Sequence, residues 1–199
     1  MAIDLSPDNE LQWVKEGRVF TATGPGDLTT PGDIEADLVV TTPDLLVRVP
    51  AGVVIVPLRF TFAAEATGAA VFQLLLRSCD NDPGTANRTA CTVVNANTRY
   101  ATMGSKCTAY HTSTGACTTP TNTADLLRVY IQVDINAVTG TAHYDQVVYS
   151  PLQGRGVPCV IGKNGNGTAF LAYIANATSG DGYGIATWAE FTYDEFYAT

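Results

Sequence analysis

The chain has 199 residues, of which 15% are charged, and a formal net charge of −8 with a pI near 4.5. An acidic chain is repelled by the phosphates of nucleic acids and by anionic membranes, so neither is predicted as a partner. The length suits one large domain that can bury a core without metals or disulfides.

Targeting signals are not evident in the sequence. No run of about 18 apolar residues is present, so no transmembrane helix is predicted. The first 17 residues, MAIDLSPDNELQWVKEG, have neither a basic n-region nor an apolar h-region, so no signal peptide is predicted. Eight of the eleven cationic residues are arginine. Arginine is enriched at protein interfaces, although the codon usage of a GC-rich genome would give the same bias.

Residues 1–36 are predicted to form an irregular N-terminal arm, because proline and glycine interrupt them repeatedly. Only the stretch from Leu11 to Phe20 could form a short helix or strand. Docking on a neighbouring subunit would satisfy the backbone polar groups of such an arm. The apolar residues predicted to make that partner contact are Ile3, Leu5, Leu11, Trp13 and Val14.

Residues 37–199 are predicted to form a β-sandwich domain. In residues 53–64 the residues Leu58, Phe60 and Phe62 alternate with polar residues, which is the period of a half-buried strand. Pro57 within that strand indicates an edge position or a bulge. The clearest strand covers residues 126–135, where aliphatic residues share one face: Leu127, Val129, Ile131, Val133 and Ile135.

The chain as a whole offers eight to ten short strands separated by turns, and no helical periodicity of useful length. This pattern predicts an all-β fold, an antiparallel sandwich with little helix, and jelly roll is the leading topology. The polar region 78–123 lies between strong core strands, where function is commonly placed.

The chain has five cysteines, at positions 79, 91, 107, 117 and 159, and the first four fall in that region. They form no CxxC motif and the two histidines do not complete a zinc site, so no metal is predicted. Cys79 and Cys91, and likewise Cys107 and Cys117, each bracket a short polar loop. This spacing favours two local disulfides with Cys159 free, while the pairs 79–107 and 91–117, or five buried thiols, stay open.

No catalytic constellation is evident, and neither an enzyme nor a cofactor is predicted. His111 and His143 accompany no GxSxG nucleophile motif. The segment GKNGNG at residues 162–167 lacks the Lys-Ser/Thr pair of a phosphate loop and is interpreted as a hairpin turn. The sequence Asp80-Asn81-Asp82 lacks EF-hand spacing, so an ordinary turn is favoured over a weak calcium site.

Two segments carry a resemblance. VRVPAGVVIVPLRFTFAAEATGAAVFQLLLRS at residues 47–78 resembles strands of jelly-roll structural proteins from tailed-phage virions, and GYGIATWAEFTYDEF at residues 182–196 has the same pattern. Such proteins are capsid decoration, or cement, proteins and related shell components, usually trimers. The resemblance implies a homotrimeric bacteriophage virion protein on the capsid exterior that binds the major capsid protein or other virion subunits. The cysteine-containing middle has no counterpart in that pattern.

The alternative function is a carbohydrate- or receptor-binding sandwich module. Tyr100, Tyr110 and Tyr183 fall in predicted loops and could stack on sugars. A lectin should show an exposed aromatic platform beside polar loops. A shell protein should instead bury its aromatic residues against neighbouring subunits.

Overall fold

The structure, a computed structural model, describes residues 7–24, 32–33, 37–66, 70–86, 88–112, 116–133, 142–176 and 181–197. Strands dominate these residues. The strands are β1 Val19–Gly24, β2 Gly32–Asp33, β3 Leu45–Val49, β4 Val53–Ala66, β5 Ala70–Cys79, β6 Arg88–Cys91, β7 Val93–Asn95, β8 Thr108–Thr112, β9 Ala124–Val133, β10 Ala142–Tyr149, β11 Thr168–Asn176 and β12 Asp181–Thr192. The helices are α1 Pro7–Lys15 and α2 Tyr193–Tyr197, with 3-10 turns at Thr98–Tyr100 and Pro151–Gln153.

The strands form two antiparallel sheets that pack face to face. Sheet 1 has the order β10-β4-β12-β1-β7, with β2 beside β12. Sheet 2 has the order β6-β8-β3-β11-β5-β9. The predicted all-β antiparallel sandwich is therefore confirmed.

Eight strands form a nested set of antiparallel pairs. The β5–β9 pair lies within β4–β10, which lies within β3–β11, which lies within β1–β12. Successive strands of this set change sheet at each connection except that from β5 to β9. A long hairpin rolled between two sheets in this way is the strand order on which a jelly roll is built. Residues 80–123 connect β5 to β9 at the tip of that hairpin. They add β7 to one edge of sheet 1, and β8 and β6 to one edge of sheet 2.

The main core fills the space between the sheets, and the rings of Phe62 and Phe72 meet there at 5.4 Å between centroids. A second apolar cluster covers the outer face of sheet 1 beneath α1. A third lies on the outer face of sheet 2, around Leu75, Leu171 and Tyr173. Both sheets are thus covered on part of their outer faces as well as inside.

Strand β4 contains a bulge that changes which face its residues present. Pro57 and Arg59 pair with Trp188 and Thr187, which are adjacent in β12, so β4 has one extra residue at this point. Phe60 and Phe62 face the core between the sheets, whereas Leu58 packs in the outer cluster of sheet 1. The predicted common face for Leu58, Phe60 and Phe62 is therefore wrong for Leu58, because the extra residue reverses the alternation. The predicted irregularity at Pro57 is confirmed.

The prediction of an irregular arm is wrong for residues 7–24, and the stretch from Leu11 to Phe20, which was predicted to allow a short helix or strand, contributes to both α1 and β1. Pro7 begins a helix, a position that proline favours. Strand β1 pairs with β12 on one side and β7 on the other, and buries Phe20 and Ala22 in the main core. Glycine and proline stand at the ends of these elements rather than within them. A boundary at residue 36 therefore does not separate an arm from the sandwich.

Candidate functional site

The cysteines predicted to pair are all free thiols. Cys79 ends β5 and Cys91 ends β6, and β11, β3 and β8 lie between those two strands in sheet 2. Four strand spacings amount to about 19 Å, whereas a disulfide spans at most about 7 Å between Cα atoms. The predicted Cys79–Cys91 disulfide is therefore wrong.

The second predicted disulfide is also wrong, because Cys107 and Cys117 lie on opposite faces of sheet 2. Cys107 precedes the strand and is buried in the main core. The Cys117 amide donates to the Thr41 carbonyl at 2.8 Å, and its thiol interacts with Cys79 and Tyr173 of the cluster on the outer face of sheet 2. The sheet itself therefore separates the two thiols.

The thiols are held in an unreactive form. Burial raises the pKa of Cys79 to about 11 and the pKa values of Cys91 and Cys159 to about 12. A thiol is a nucleophile only as its thiolate, so these three are protonated and inert near neutral pH. Region 78–123 therefore uses Cys79 and Cys91 as packing groups, not as reactive groups.

The Asp80-Asn81-Asp82 segment is a set of structural contacts. Asp80 accepts hydrogen bonds from Asn122 at 2.6 Å and Thr121 at 2.8 Å, and pairs with Lys163 at 3.0 Å. The Asn122 and Lys163 donors lower the pKa of Asp80 to about 2. Asp82 pairs through both oxygens with the Arg48 guanidinium. Within the described ranges no three His, Cys, Asp or Glu side chains converge on a metal position.

Glu190 is a buried acid that the sequence analysis did not single out. It is 7% exposed and accepts from the Trp188 indole at 2.9 Å, from the Lys106 amide at 2.9 Å and from the Ser105 hydroxyl. These contacts fasten residues 105–106 to β12. The signal was an acid inside the apolar stretch GIATWAEFTY, but two of its three partners, Ser105 and Lys106, lie about 85 residues earlier in the chain.

The three tyrosines proposed for sugar stacking do not form a common platform. Tyr100 packs its ring over the backbone of Gly17. Tyr110 lies in β8 of sheet 2, in contact with Arg48, and Tyr183 lies in β12 of sheet 1. Tyr110 and Tyr183 therefore lie in strands of different sheets rather than in loops.

The predicted partner-binding residues of the N-terminus are mostly engaged within the chain. Trp13 is 5% exposed and packs on Phe191, and Val14 lies against the same cluster. The prediction that these two residues face a neighbour is wrong, because α1 buries them on its own sheet. Leu11 is 60% exposed, and Ile3 and Leu5 lie outside the described residues.

The two sides of the sandwich end differently. On one side the marginal strands β6 and β7 have four and three residues. On the other side the marginal strands β9 and β10 have ten and eight. Short edge strands prevent pairing with other chains, whereas long ones favour it. The side that carries β9 and β10 is therefore the candidate site for contact with another chain.

Residues 155–157 of the chain cover part of β9 and part of β10 on this side. The Val157 amide donates to the Leu126 carbonyl at 3.0 Å, and the Arg155 guanidinium donates to the Val147 carbonyl at 2.6 Å. Residues 128–132 of β9, named here the β9 edge, pair with β5 in the described part of the chain. Tyr130, at the centre of the β9 edge, is 67% exposed.

None of the described helices is long and apolar enough to cross a membrane. Comparison of the chain with protein-family models, with curated proteins and with solved structures found no match.

Proposed function

We propose that the protein is a homo-oligomeric structural component of a virion shell, of the capsid-decoration type, that binds other shell subunits. The observation that carries the proposal is the difference between the two sides of the sandwich. One side ends in short strands, and the other presents the β9 edge with Tyr130 exposed. A protein that works through contacts with its neighbours needs one open side of this kind.

The first and last described segments of the chain are also fastened to each other, which suits a structural role. Trp13 of α1 packs on Phe191 of β12, and Arg18 makes two hydrogen bonds to Glu195 of α2, at 3.0 and 2.5 Å. The outermost pair of the nested strands is thus closed by contacts between the first and last described elements. Such closure resists unwrapping of the sandwich when load is applied to its surface.

Two properties of the sequence support the same proposal. Residues 47–78 and 182–196, which resemble strands of phage jelly-roll proteins, include β4 and β12, which pair in sheet 1. The net charge of −8 suits an exterior position, away from a packaged genome.

The test is to locate the protein on particles. An antibody against the recombinant chain is used on density-purified virions from its source, intact and disrupted. We expect the protein to co-migrate with intact particles, in a fixed ratio to the main shell subunit, and to be labelled without disruption. Recovery only in the soluble fraction would contradict the proposal.

A second candidate function, carbohydrate binding, has one observation in its favour. Tyr130 presents an exposed ring on the outer face of sheet 2, with Gln73 opposite it and Arg128 on the same strand face. Aromatic rings flanked by polar groups are suited to sugar stacking. Binding on a glycan array that Tyr130→Ala abolishes, together with absence from particles, would favour this candidate.

A further inference from the structure

We propose that residues 98–106, named here the cationic loop, bind the acidic surface of a second copy of this chain. The cationic loop follows β7 at one margin of sheet 1 and carries Arg99 and Lys106. This inference rests on the proposed function, because it assigns the contact through which copies of a homo-oligomeric shell component meet.

The first support is the uneven distribution of charge along the chain. Residues 83–124 contain three cationic residues, Arg88, Arg99 and Lys106, and no aspartate or glutamate. The rest of the chain contains the other eight cationic residues and all 19 acidic ones, which is a net charge of −11. Surfaces of opposite charge attract and orient each other. Two copies of this chain therefore offer each other complementary surfaces.

The second support is that the charges of the cationic loop are not neutralised within the chain. Arg99 and Lys106 are exposed, and neither forms an ion pair with the part of the chain that the structure describes. Lys106 acts on Glu195 only at longer range, since the carboxylate of Glu195 is paired with Arg18. Elsewhere most cationic side chains pair with a carboxylate, namely those of Arg18, Arg48, Arg59, Arg77, Arg128 and Lys163.

The third support is that the backbone of the cationic loop is held in place at both ends. At its start the Asn97 side chain donates to the Lys15 carbonyl at 3.3 Å and accepts from the Arg99 amide at 3.0 Å. Near its end the Lys106 amide donates to the buried Glu190 carboxylate at 2.9 Å. A loop that is already ordered loses little conformational entropy on binding. These anchors therefore present both cations in a form ready to bind.

The cationic loop also presents an apolar side chain. Met103 stands between the two cations in the sequence and is 49% exposed, and its amide donates to the Tyr100 carbonyl at 2.8 Å. Arginine and methionine are both enriched at protein interfaces. Because β7 has only three residues, it is too short to pair with a strand of another chain. The contact proposed here is therefore made by side chains.

A contact between the cationic loop of one copy and the acidic surface of the next uses two different surfaces of the chain. Contacts of this heterologous kind form closed rings when the rotation between copies permits. The trimer that the phage resemblance implies is such a ring.

The first experiment measures the mass of the full chain by light scattering over a concentration series. At about 0.1 M NaCl, where the Debye length is about 10 Å, we expect a mass above the 21.0 kDa of one chain. At about 1 M NaCl, where that length is about 3 Å, the mass should fall toward that of one chain.

The second experiment reverses single charges at the lower salt concentration. Arg99→Glu and Lys106→Glu should each raise the dissociation constant about fivefold or more, because each replaces an attraction to the acidic surface by a repulsion. The matched control is Arg128→Glu, which changes the net charge equally at a side chain that is 54% exposed on β9. It should change the dissociation constant by about twofold or less. Circular dichroism verifies that all three variants are folded.

Four results would overturn the inference: a monomer at every concentration in low salt, an oligomer whose mass does not depend on salt, an oligomer that Arg99→Glu and Lys106→Glu leave intact, or one that Arg128→Glu weakens equally. A monomeric chain that still labels intact virions would retain the proposed function while refuting this contact. A salt-sensitive oligomer that is absent from virions would do the reverse.

Discussion

Trp13 meets Phe191 edge-on, with 5.4 Å between ring centroids and 82° between ring planes. The contact joins α1, near the start of the chain, to β12, near its end. Val54 and Val56 of β4 complete the cluster around these rings. The outer face of sheet 1 thus depends on one large side chain from a segment that the sequence suggested was irregular.

Replacing Trp13 should therefore destabilise the whole domain. We expect Trp13→Ala to lower the free energy of unfolding by about 3–5 kcal/mol, because it removes a buried aromatic side chain and leaves a cavity. Urea denaturation followed by fluorescence measures this. Leu11→Ala, on the exposed side of the same helix, should change the value by about 0.5 kcal/mol or less. Equal losses in both variants would refute the intramolecular docking of α1.

Gly184 should not tolerate a side chain. A Cβ at this position would lie 2.1 Å from the end of the Phe60 ring, inside the main core. We expect Gly184→Ala to cost about 1–3 kcal/mol through displacement of that ring. Gly165→Ala, which meets nothing within 4 Å, is the control and should be close to neutral in thermal unfolding. A neutral Gly184→Ala would show that Phe60 does not cover this glycine.

Thiol titration should count five free cysteines. In the native protein we expect slow reaction at pH 7, because burial raises the pKa values of Cys79, Cys91 and Cys159 and keeps their thiolates scarce. In denaturant without reductant, all five should react at once. Recovery of only one or three thiols under those conditions would restore the disulfide prediction made from the spacing.

Acid should weaken the protein partly through Asp82. Its pairing with Arg48 lowers the pKa of this carboxyl in the folded state. The unfolded chain therefore binds more protons at acidic pH, so this contribution is complete above the unfolded pKa and is lost as pH falls through the folded one. We expect the urea midpoint to fall between about pH 5 and pH 2. Asp82→Asn should reduce that dependence and cost about 1 kcal/mol or less at pH 7, because the pair is partly solvated. An unchanged pH profile in Asp82→Asn would contradict it.

The alternation of residues along the strands was sufficient to predict the sandwich, because Phe60, Phe62 and Ile131 repeat with the period of two that a half-buried strand requires. Leu58 shows the limit of that approach, since a bulge reverses the alternation and a one-residue offset is invisible in composition. The disulfide prediction failed because neighbours in sequence were treated as neighbours in space. Cys79 and Cys91 are close in sequence, but the strands that they end, β5 and β6, are far apart in sheet 2.

The site was harder to predict than the fold. The alternation along residues 126–135 predicts that Tyr130 lies on the face opposite Val129 and Ile131, but nothing local shows that β9 stands at a sheet margin. Strand order depends on contacts between distant segments, as does the burial of Glu190 beside Ser105. The sequence predicts that Trp13 contacts a neighbouring subunit, whereas the ring on which it packs, Phe191, lies within the same chain.

The nested strand pairs also have a consequence for how the chain folds. β1 pairs with β12 from Val19 opposite Ala189 to Gly24 opposite Gly184, so one of its two neighbours in the sheet is synthesised long after it. Pairings between such distant segments form slowly, since the chain must close a very large loop before any contact compensates for it. During translation the inner hairpins can assemble first. β1 must then wait, with one edge open, until β12 has been synthesised and can close the roll.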